Sequence, residues 1–129
     1  MSKPVEIGEL KEGGFCIIDN EPCRIVSVEK SKPGKHGSAK ARIVAIGVFD
    51  DVKRSIVSPV DARIDVPIIE KRTGQIIAAL GNNTYQLMDL ENFETFESKV
   101  DEELVNQLAV GDQVEYWVIL NRRKIMRKK

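Results

Sequence analysis

The chain has 129 residues, enough for one medium domain or two small ones, and its 42% hydrophobic and 31% charged residues fit a folded globular protein rather than a disordered one. Its 20 basic and 20 acidic residues cancel, which excludes a uniformly basic nucleic-acid binder. No apolar run is long enough to cross a bilayer, and MSKPVEIGEL lacks the apolar core of a secretory signal, so a cytoplasmic protein with no membrane partner is expected.

In chain order, the first half is a series of short β-branched runs: FCIID (15–19), CRIVSVE (23–29), ARIVAIGVF (41–49) and ARIDVPII (62–69). Between them lie DNEP (19–22), the glycine-rich KPGKHGSA (32–39) and SPVD (58–61), which supply Asn, Asp, Gly and Pro where turns need them. This pattern predicts a small antiparallel barrel in which 32–39 is a long hairpin connection. The charged EKRTG (70–74) reads as a turn after DVPII, which puts a domain boundary between Val66 and Ile69. The second half resumes with GQIIAAL (74–80), TYQLMDL (84–90) and FETFESKV (93–100). Val100, Leu104 and Leu108 then recur at helical spacing behind Asp101, Glu102 and Glu103, with Gly111 to close, which predicts a short helix before the strand DQVEYWVIL (112–120). Strands with one inserted helix match an oligonucleotide-binding barrel, so the fold class is all-β with two small barrels.

Charge is distributed unevenly. From Lys30 to Phe49 there is no acid, yet Lys30, Lys32, Lys35, Lys40 and Arg42 all fall there. The end NRRKIMRKK (121–129) is also basic and reads either as a solvated tail or as a contact to a polyanion, whereas DLENFETFESKVDEE (89–103) is acidic. Fields of both signs can thus orient a neutral molecule toward a polyanion.

Lys35 is the central residue of the basic segment. Gly34 and Gly37 flank the Lys35-His36 pair and Pro33 restricts its approach, which suits display of the lysine rather than burial. A nucleotide-binding phosphate loop needs Gly-Lys followed by Ser or Thr and then a helix; here His36 follows and a strand is predicted. Catalysis by Lys35 or His36 would need a desolvating pocket or a carboxylate partner, neither of which the segment supplies, so the protein does not read as an enzyme. His36 is the single histidine, and with Cys16 and Cys23 it cannot complete a zinc set; no metal is expected, and the two cysteines read as a pair of buried free thiols in preference to a disulfide. Tyr116 and Trp117 could stack on bases, but their place in a strand between Val114 and Val118 favours burial of Trp117.

PGKHGSAKARI resembles the hypusine loop of the archaeal and eukaryotic translation factor 5A family, whose pattern is a Gly-Lys-His-Gly core followed closely by Ala-Lys. The likeness extends to GGFCIIDNEPCRIVSVEKSK, the DVPII hinge and VGDQVEYWVI. It implies an SH3-like barrel over residues 1–68 carrying the loop 31–39, and an oligonucleotide-binding domain over 69–129. It implies that Lys35 is the lysine which a deoxyhypusine synthase, using NAD, converts by moving the aminobutyl group of spermidine onto its amine. No separate cofactor is implied beyond this covalent hypusine or deoxyhypusine. Gly34, His36, Gly37 and Lys40 match the presenting motif, and Lys32, Pro33, Ser38 and Arg42 complete the surface expected to meet tRNA or ribosomal RNA. Pro33 and Ser38 depart from the common eukaryotic loop, which has Thr and His, and suggest an archaeal member. The implied role is binding the ribosome beside peptidyl-tRNA, as a monomer, and promoting peptide-bond formation where it stalls, as at consecutive prolines. A general single-stranded RNA-binding module that needs no modified lysine is the alternative from a different class.

Overall fold

A computed structural model describes residues 1–31 and 39–129. These divide into two compact units, Met1–Ile68 and Ile69–Lys129. The first holds β1 (Ser2–Glu6), a 3-10 turn (Ile7–Glu9), β2 (Phe15–Ile18), β3 (Glu21–Ser31), β4 (Lys40–Gly47), β5 (Lys53–Pro59) and β6 (Arg63–Pro67). Strands β2 to β5 form an antiparallel sheet in chain order, and β1 pairs with β6 in a separate ribbon. Period-two alternation is clearest in β4, where Ala41, Ile43 and Ala45 are buried while Lys40 and Arg42 are exposed. These inward residues join Ile7, Cys16, Cys23 and Ile25 in one apolar cluster. Cys16 and Cys23 lie directly opposite each other across β2 and β3, and both are free and buried. Burial pushes the Cys16 thiol up to about 12, which keeps it a thiol rather than a reactive thiolate.

The β4–β5 connection has one close approach. A Cβ at Gly47 would fall 1.8 Å from Asp50 Oδ1, the atom that accepts from Val52 N and Arg54 Nη1, so a side chain there would displace the Asp50 carboxylate from both bonds. Three two-residue hairpins among the described residues take a different solution. Asp19-Asn20, Asn82-Asn83 and Leu120-Asn121 all have positive φ at both positions, the geometry whose twist matches that of paired strands.

The second unit holds β7 (Ile69–Gly81), β8 (Thr84–Asp89), β9 (Thr95–Lys99), α1 (Glu102–Val105), β10 (Gln113–Ile119) and β11 (Arg122–Lys128). Its sheet order is β11-β10-β7-β8-β9. The two outer strands meet, with the Arg123 guanidinium 4.6 Å from the centre of the Phe96 ring, so the sheet curls toward a closed barrel. With one short helix between its third and fourth strands, this unit is of the oligonucleotide-binding type, and the molecule is all-β as expected.

Several local expectations need correction. EKRTG is not a turn: it lies inside β7, because residues 69–75 pair with β10 while 74–81 pair with β8, and one long strand serves both neighbours. NRRKIMRKK is not a tail: it forms β11, with Ile125 buried in the core. The helix is shorter than the apolar spacing suggests. Leu108 reaches the core from the turn after α1, whose exit is held by Gln107 N donating to Leu104 O and Ala109 N to Asp112 Oδ2. Strands β1 and β5 carry no strong apolar alternation and were not anticipated.

Candidate functional site

The basic segment joins β3 to β4. Lys32, Pro33, Gly34, Lys35, His36, Gly37 and Ser38 lie outside the described residues; of the sequence-predicted set, Lys40 and Arg42 are placed. The stem below them is firmly built. Ser31 pairs with Lys40, and Ser31 Oγ donates to Lys40 O at 3.3 Å. Val60 N donates to Ala39 O at 3.0 Å, which fixes the chain just before β4.

A β-bulge decides which cations of the stem share a face. Between Ile25 and Ser27 the register of β3 on β4 shifts by one residue. The extra residue reverses the alternation downstream, so that Val28 packs on the core and Glu29 and Ser31 turn outward. Lys30 consequently leaves the outward face, and its ammonium donates to Gly8 O at 2.9 Å. The outward face then has four cross-strand rows over β3, β4 and β5: Ser31-Lys40-Pro59, Glu29-Arg42-Val57, Ser27-Val44-Ser55 and Arg24-Ile46-Lys53. Arg24 and Lys53 are exposed and share this face with Lys40 and Arg42. Sequence reasoning did not single them out, since they lie far from the glycine-rich segment and only the register brings them onto the same surface.

The basic end of the chain behaves differently. In β11, Arg123 lies 3.9 Å from Glu94, Lys124 3.6 Å from Asp101, Arg127 3.5 Å from Glu115 and Lys128 3.4 Å from Asp112. Such exposed pairs add little stability, but each cancels a charge that an RNA would otherwise meet.

The aromatic pair is not a stacking platform. Tyr116 is buried, and its hydroxyl donates a short hydrogen bond to Asp89 Oδ2. Trp117 is 8% exposed; its Nε1 donates to Glu115 Oε2 at 3.0 Å and the Lys71 ammonium sits 4.9 Å from the ring centre. Burial of Trp117 was expected; burial of Tyr116 as well follows from Asp89. That carboxylate, 1% exposed, also accepts from Arg72 Nε at 2.6 Å and Nη2 at 3.0 Å and from the backbone of Glu91 and Asn92. The Arg72 guanidinium holds the Asp89 carboxyl well below the usual carboxylate range, while burial, with the Asp89 charge beside it, pushes the Tyr116 phenol up to about 12. This is a strand-tying network whose members the sequence places in a charged turn (Arg72), in the run TYQLMDL (Asp89) and in a strand where one of two aromatics is expected in the core (Tyr116). Among the described residues no three of His, Cys, Asp and Glu are grouped to hold a metal ion, and no helix is long and apolar enough to cross a membrane.

Comparison with known proteins bears on this geometry. Residues 1–62 match the family described as "Translation initiation factor 5A-like, N-terminal". Over its whole length the chain is similar to translation initiation factor 5A of Pyrobaculum islandicum, at 59% identity covering 99% of this chain and 98% of the relative. It is 56% identical to that of Archaeoglobus fulgidus, covering 98% of both. Among solved structures it is similar to a protein described as eukaryotic translation initiation factor 5A from Methanococcus jannaschii, with a TM-score of 0.93 and 44% identity over 99% of this chain and 95% of that one. A family protein from Naegleria fowleri has a TM-score of 0.79 and 28% identity over 99% and 98% of the two chains.

Proposed function

This chain belongs to the translation initiation factor 5A family as an archaeal member, and from that premise we propose that it binds the ribosome beside peptidyl-tRNA and promotes peptide-bond formation at stalled sites through a modified Lys35. The observation that carries the reading is the Gly34-Lys35-His36-Gly37 core, which joins β3 to β4 in a chain that matches translation factors from end to end.

The chemistry is that of a positioning factor rather than an enzyme. A deoxyhypusine synthase would transfer an aminobutyl group from spermidine to the Lys35 amine, giving a longer side chain with a second cationic donor. Such a group reaches the backbone of the tRNA acceptor end while the barrel stays outside the catalytic centre, and it contacts phosphates and 2′-hydroxyls without reading bases. Holding a poorly placed reactant near its reactive geometry lowers the barrier entropically, with no protein group entering the reaction. Lys32, Lys40 and Arg42 support the contact electrostatically, and for Lys40 and Arg42 the hydrogen-bonded stem supplies a rigid base.

Lys35→Arg tests this directly, because arginine keeps the charge but cannot accept the aminobutyl group. Synthesis of a proline-rich peptide on ribosomes from a related archaeon should be stimulated by the modified protein and not by the variant. Equal stimulation by both would leave the alternative, an RNA-binding module that needs no modification. Peptide mass analysis of native material around Lys35 accompanies the test, since an added aminobutyl group there is its precondition.

A further inference from the structure

We propose that the outward face of the β3–β4–β5 sheet docks on the phosphodiester backbone of RNA, with Arg24 and Lys53 forming the end of that surface farthest from Lys40. The proposal deepens the ribosomal reading above and rests on it for the presence of RNA. Lys40 and Arg42, two residues apart on β4, stand about 7 Å from each other, and the Arg24-Ile46-Lys53 row lies about 13 Å farther along the strand. Arg24 and Lys53 flank Ile46 from the neighbouring strands, about 10 Å apart.

Three observations point to a polyanion on this face. Four cations share it with a single acid, Glu29, in the row of Arg42. Among the described residues none of Arg24, Lys40, Arg42 and Lys53 makes an ion pair, in contrast to the cations of β11. Cations that outnumber the acid on their face four to one repel one another, and a bound anion removes that repulsion. Between the two cationic ends runs the Ser27-Val44-Ser55 row, whose hydroxyls can donate to phosphate or accept from a 2′-hydroxyl.

RNA is favoured over an acidic protein because of what lies between the charges. A protein interface would be centred on a desolvated apolar or aromatic core. Here the most exposed apolar side chain, Val57 at 65%, stands alone beside Arg42, and the central row is two serines around a half-buried valine. Arginine forks and lysine ammoniums on a flat sheet suit a phosphate backbone read by position rather than sequence.

The test uses the full-length protein with plain Lys35. Fluorescence anisotropy would follow its binding to a 20-nucleotide uridine strand, a 20-base-pair RNA duplex and polyglutamate across a salt series. Removing two phosphate contacts in Arg24→Gln/Lys53→Gln should flatten the slope of log affinity against log salt by about 1.4 on the single strand or about 1.8 on the duplex. Arg24→Lys/Lys53→Arg should restore it, and Arg127→Gln/Lys128→Gln in β11 should leave it unchanged. An unchanged slope in the first variant, an equal loss in the β11 variant, or dependence on Arg24 and Lys53 for polyglutamate alone would each overturn the proposal. Thermal melting of each variant confirms that these exposed changes leave the fold intact. Since Lys35 is unmodified throughout, failure here leaves the Lys35 reading standing, and an active Lys35→Arg protein leaves this surface standing.

Discussion

Asp89 shows how one residue can tie a sheet together. It stands at the end of β8, Arg72 lies in β7 and Tyr116 in β10, so a single carboxylate connects three strands through charge-assisted hydrogen bonds. Replacing it with asparagine leaves the Arg72 guanidinium only the exposed Glu70 and Glu91 carboxylates as counterions and weakens the charge-assisted hydrogen bonds at the buried position, and we expect Asp89→Asn to cost about 2 kcal/mol near pH 7. The pH dependence has a definite sign. The folded state holds this carboxyl below its unfolded value, so its contribution is complete above about pH 4 and is lost as pH falls further. Urea unfolding near pH 7 and near pH 3 should therefore show the gap between wild type and variant narrowing in acid. A gap of constant size would assign the effect to packing instead. None of this network is legible in the sequence, where Arg72 belongs to a charged run, Asp89 opens an acidic one and Tyr116 sits in a strand; only the register brings them together.

At the scale of the element, β11 and the bulge in β3 each overturn a reading based on local composition. NRRKIMRKK looks like a tail because its charges outnumber its apolar residues, yet Ile125 is all that the core requires of it, and its cations find acids on neighbouring elements. A strand at a barrel seam can be mostly charged, since one face and both ends point to solvent. Truncation after Asn121 removes Ile125 and one of the two backbone partners of β10, so residues 69–121 should lose their β signal in circular dichroism and their amide protection. A truncated protein with native protection in β10 would restore the tail reading. The bulge is equally hidden: strict alternation from Cys23 and Ile25 would turn Glu29 and Ser31 inward and Lys30 outward, and one inserted residue reverses all three.

Over the whole molecule, two separate apolar clusters carry the fold, one around Ile25 and Ile43 and the other around Leu87 and Val114. Ile43→Ala should cost about 2–5 kcal/mol in the first. Hydrogen exchange should then show faster opening of amides in β3 and β4 while those of β8 and β10 keep their protection. Equal acceleration in both would mean that the units unfold as one. The sequence by itself determined the all-β class, the likeness to a translation factor family and the prominence of Lys35, because turn residues, β-branched runs and a rare Gly-Lys-His-Gly core are local signals. Tertiary structure alone decided that EKRTG and the basic end are strands, that Tyr116 serves Asp89, and that Arg24 and Lys53 join Lys40 and Arg42 on one face. Those outcomes depend on cross-strand register and on which charges find partners, and both are set by residues distant in the chain.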